Sequence, residues 1–109
     1  MDLANNIGVL VASLNILMGK STNLAFRQKL GTLLSEVLFP LWDAALKQQL
    51  DTTTPQFQAA TTQLNNATQA AQAANADLNQ TQQAIQAAVN AAKAIDQVVG
   101  VVLPILALI

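Results

Sequence analysis

Glu36 and Asp43 are the carboxylates whose spacing most suggests joint chemistry. They lie seven residues apart, so a helix would carry both on one face. Two such groups do acid–base work when their surroundings push their pKa values apart. The flanking sequence gives no sign that either is buried, and a solvated pair on a helix surface is the plainer reading. The chain has no His and no Cys. A His general base, a thiolate nucleophile, a Cys/His zinc site and a disulfide framework are therefore excluded.

Gly19-Lys20-Ser21-Thr22 is similar to the end of a phosphate-binding loop, G-x-x-x-x-G-K-[ST]. The first glycine of that motif would fall on Leu14, and no strand is predicted ahead of it. No oxygen-rich calcium loop is present. The basic residues Lys20, Arg27 and Lys29 form the one cationic cluster, beside a net charge of −1. That balance gives no electrostatic case for nucleic acid. The expectation is a non-enzymatic chain with no catalytic residue, no metal, no cofactor and no small-molecule substrate.

The elements carry more information than these groups do. Phe57, Ala60, Leu64, Ala67, Ala71, Ala74, Leu78, Thr81, Ile85, Ala88, Ala92, Ile95, Val99 and Val102 follow one another at gaps of three and four. This is a heptad seam. Ala also occurs off it, so the large apolar residues decide. Between 57 and 95, Val89 alone of these lies off the seam. The remaining surface is mostly Gln, Asn and Thr, with charge only at Asp77, Lys93 and Asp96. Read as one helix, the segment would run about 70 Å. Its Ala-rich stripe admits a close partner backbone, and it lacks the flanking Glu and Lys that usually fix coiled-coil pairing.

The chain before it reads as a broken arm. Asp2 can cap a first helix over about 3–18, apolar on most sides. A second helix is expected over about 23–38 and a third over 41–50, separated by a kink or short break at Phe39-Pro40. Trp42, Ala45 and Leu46 are expected to face the core. Thr54 then caps the long helix and Pro55 takes its first position. The tail from 100 to 109 is apolar except for its glycine, and too short to span a membrane as a helix. Met1-Asp2 opens without the basic region of a standard signal peptide.

These lengths predict one all-α domain over 1–109. The first choice is a long antiparallel helical hairpin, with a broken first arm and a continuous Ala-rich second arm over 55–99. The alternative is a compact three- or four-helix bundle. The hairpin would put the apolar first helix and apolar tail at one end, with the 51–54 turn at the other. Charged residues make up only 10% of the chain, against roughly a quarter in typical domains. The functional expectation is self-association into a homo-oligomer through the seam and the apolar ends. The alternative is a membrane-active helical protein that meets lipid through those ends.

Overall fold

The computed structural model describes residues 3–101. They form helices α1 (Leu3–Lys20), α2 (Leu24–Thr32), α3 (Phe39–Lys47), α4 (Pro55–Ala76) and α5 (Thr81–Val99). A π-helical turn, Leu33–Leu38, joins α2 to α3, and a 3₁₀ turn, Leu78–Gln80, precedes α5. The fold is all-α, and it is the bundle rather than the extended hairpin. Its extents are 40 × 25 × 18 Å. The expected caps on Met1-Asp2, the seam residue Val102 and the rest of the tail lie outside the described residues.

Proline 40 does not break its helix. From Leu24 to Lys47 the backbone stays helical, and the strain is absorbed one turn earlier. Proline lacks an N–H and its ring crowds the carbonyl four residues back. Widening that turn to π geometry relieves the crowding. The Phe39 N–H accordingly donates to the Leu34 carbonyl, five residues back. Helices α2 and α3 thus make one bent rod. At its start Asn23 caps α2 by accepting from the Phe26 N–H at 3.1 Å.

The second arm is interrupted, which corrects the expectation of a continuous helix over 55–99. Thr54 caps α4 as expected, its hydroxyl accepting from the Phe57 N–H at 3.1 Å. Helix α4 then stops at Asp77, whose backbone is extended at φ −142° and ψ 102°. The Asp77 carboxylate accepts from the Asn79 N–H at 3.1 Å. The Thr81 hydroxyl donates to the Leu78 carbonyl at 2.7 Å. An Asp side chain competes well for nearby backbone donors and favours caps over helix interiors. Here that preference turns the chain, and α5 packs back along α4.

The four rods form a ring in the order α1, α4, α5 and the α2–α3 rod. Trp42 meets Gly8 and Met18 meets Gly31, so α1 runs antiparallel to the rod. Lys20 Nζ donates to the Asn75 carbonyl at 3.2 Å, and Leu3 and Phe57 line one groove, so α1 and α4 run parallel. The connection 48–54 therefore crosses the end of the bundle. It lies beside the start of α1 and the end of α5, where Gln48 Nε2 donates to the Val99 carbonyl at 2.8 Å. The turn thus shares one end with the start of α1 and the end of α5, not opposite ends as the hairpin required.

Candidate association surfaces

The seam lies inside the molecule. Ala60, Leu64, Ala67, Ala71, Ala74, Ala88, Ala92 and Ile95 are fully buried, and Phe57, Thr81, Ile85 and Val99 nearly so. Alanine at these positions lets α4 and α5 approach closely, and the two halves of the stripe cover each other. Helix α4 buries little beyond its seam residues. Helix α5 also buries Ala84, Val89 and Ala91, because it packs on the α2–α3 rod as well as on α4. Val89, the large residue outside the heptad positions, is core. Leu78 departs from the pattern: it keeps the seam spacing but sits in the turn, 41% exposed.

A second apolar surface faces outward. On α3 the Phe39 ring stacks on Trp42, with centroids 6.4 Å apart and planes 26° from parallel. Trp42 in turn covers Gly8 of α1, where a Cβ would stand 2.9 Å from its ring. A shallow cleft beside it is walled by Ala4, Asn5, Trp42 and Leu46. Ala45 is buried and Trp42 is half-buried against the core, as expected of both, whereas Leu46 is 66% exposed and corrects the expectation that it faces inward. Val9 and Ile16 add exposed aliphatic groups on α1. Phe39, Trp42 and Leu46 follow at gaps of three and four, a helical stripe exposed at Phe39 and Leu46 and half-buried at Trp42. Sequence periodicity cannot tell this stripe from a core stripe.

Few charges border this surface. Asp43 and Lys47 pair with each other at 2.9 Å, both well exposed. Glu36 is exposed in the π turn. The pair singled out for joint chemistry is therefore solvated, with Asp43 engaged by its own lysine. Among the described residues no group of three or more His, Cys, Asp or Glu could hold a metal ion. Gly19 and Lys20 fall within the last turn of α1, not in a loop following a strand.

At the crossing end, Leu3, Ala45, Leu50 and Phe57 wall an open groove of about 250 Å³. Two carboxylates near this end carry shifted pKa values. Asp51 is held below the usual carboxylate range, because its side chain accepts from the Thr53 hydroxyl at 2.6 Å and the Thr53 N–H at 2.9 Å. Asp96 is pushed up by loss of water, against a smaller opposing effect from the Val101 N–H. Its Oδ1 is buried without a hydrogen-bond partner. Gly100, at φ 72°, ends α5 in the left-handed conformation that glycine adopts without strain.

Comparison with protein-family models, with curated proteins and with solved structures found no match to this chain.

Proposed function

We propose that this chain is a non-enzymatic helical protein that assembles with further copies of itself. The observation that carries the reading is an outer ladder, the exposed Phe39 ring stacked on Trp42, with exposed Leu46 one turn further along α3. Exposed apolar surface on a small protein marks an interaction site when it is contiguous. A partner identical in charge suits it, since the nearest ion pair is internally neutralised and the net charge is only −1. The seam serves the monomer's own core, so the contact between copies is assigned to the outer ladder.

Sedimentation equilibrium at micromolar concentration, without detergent, tests this reading. The unaltered chain is expected to associate. A Phe39→Ser/Leu46→Ser variant is expected to remain folded and to sediment as a monomer. A monomeric unaltered chain ends the proposal.

The second reading is association with lipid. Helix α1 is the described helix long and apolar enough to cross a membrane, although 44% of it is buried within the bundle. Interfacial helices usually carry Lys or Arg along their polar face, and α1 has only Lys20. Flotation with neutral and anionic liposomes separates the two readings: self-association predicts protein left in the unbound fraction.

A further inference from the structure

The seam keeps its spacing straight through the turn that interrupts it. Ala74, Leu78 and Thr81 continue the alternation of four and three, although the helix stops at Asp77. A turn evolved only as a turn has no need of helical register across it. Leu78 holds a seam position yet lies exposed, as it would not in a straight helix against a partner. The hinge from Asn75 to Thr81 contains neither Gly nor Pro. Asp77 has an extended backbone where the chain turns, and Gln80, at φ −93° and ψ 6°, closes the 3₁₀ turn. Rotating these two residues into the helical region would join α4 to α5 as one rod.

We infer that α4 and α5 open about Asp77 and exchange α5 between two copies of this chain. In the exchanged dimer, residues 55–99 form one continuous helix from each copy. Each α5 takes its place against the α4 and α2–α3 rod of the other. The core contacts are those of the monomer, made between chains, and so cost no new interface. The unbroken register lets the seam run on through the crossing point, where the exposed Leu78 of each copy becomes covered. Against opening stands the Asp77 cap on the Asn79 N–H. Exchange of an identical element is a low-cost route to a dimer. This inference is independent of the outer ladder, because the exchanged interface is the seam.

The test uses Asp77→Ala in the full chain, refolded at high concentration and separated by size. Removing the cap weakens the closed form of both copies, so the dimerisation constant should rise by about thirtyfold. The chain lacks cysteine, so spin labels can be placed uniquely at exposed Gln69→Cys and Asn90→Cys. Diluting labelled with unlabelled protein before refolding isolates the distance within one chain. The exchanged dimer should show about 32 Å, the rise of a straight helix over that interval. The closed monomer should show a short distance, set by the spacing of neighbouring helices, about 8–10 Å between axes. Absence of extra dimer in Asp77→Ala, or a dimer retaining the short distance, overturns the inference. Added to Asp77→Ala and refolded in the same way, Phe39→Ser/Leu46→Ser should leave this dimer unchanged; loss of it would assign the dimer to the outer ladder instead and would equally overturn exchange.

Discussion

Asp96 sits near the C-terminal end of α5. Partial burial disfavours its charged form, and the Val101 N–H offsets only part of this. The folded carboxylate therefore holds its proton to higher pH than it does in the unfolded chain. The sign of the linkage follows: the unfolded state binds fewer protons in the window between the two values, so stability rises as pH falls through it. At neutral pH the charged carboxylate is a net cost. Asp96→Asn keeps an acceptor for the Val101 N–H and removes that cost. It should raise Tm slightly at pH 7, and the gain should vanish on acidification below about pH 4. Thermal melts across that range check this; a gain independent of pH would point to a cause other than ionisation. Asp51 works in the opposite direction, since its hydrogen bonds from Thr53 favour the charged form. Its small contribution is present at neutral pH and is lost on acidification.

At the scale of elements, the pairing of α4 with α5 rests on side-chain size. The seam intersperses runs of Ala with Leu, Ile and Phe, and its alanines are fully buried. Two opposite changes should both destabilise. Leu64→Ala opens a cavity and should cost about 2–5 kcal/mol. Ala88→Leu forces the two helices apart and should cost about 1–3 kcal/mol. Urea unfolding measures both, and tolerance of Ala88→Leu would mean that the helices are not closely apposed there. The break in the second arm was legible in part. Asp77 is a strong capping residue, and Gln80 stands three positions on, the spacing of a capping box. The uninterrupted heptad spacing masked that signal, because a stripe built for a hairpin and one built for a straight rod read alike. The π turn before Pro40 left no mark beyond the proline itself. Whether proline ends a helix or widens the preceding turn depends on what the two flanking segments pack against. Here Leu33, Leu34, Val37 and Leu38 within the π turn, and Leu30 and Leu41 on either side of it, are all buried, which holds the rod together.

At the scale of the whole molecule, the ring of rods gives every buried stripe a neighbour from the same chain. The described residues have a radius of gyration of 13.0 Å, close to that expected of a compact domain of about 100 residues. Small-angle scattering at low concentration should return a compact particle of this order. A markedly larger value growing with concentration would instead report opened or assembled chains. The outward ladder belongs to this scale too. Leu46 lies on a helix face that the sequence marks as core, yet it stands exposed beside Trp42, which is half-buried against α1 and the core. The order of rods around the ring leaves Leu46 and Phe39 to solvent.

The sequence by itself determined the helical class, the stripe that must be covered, the cap at Thr54 and the absence of His and Cys chemistry. These follow from side-chain type and spacing along a single chain. The tertiary structure decided that the stripe covers itself, because α5 folds back at Asp77 and buries both halves within one molecule. It also decided which apolar face remains outside, since that depends on the number of neighbours each rod acquires in the ring. Local spacing records which residues share a face; only the arrangement of all four rods determines what that face meets.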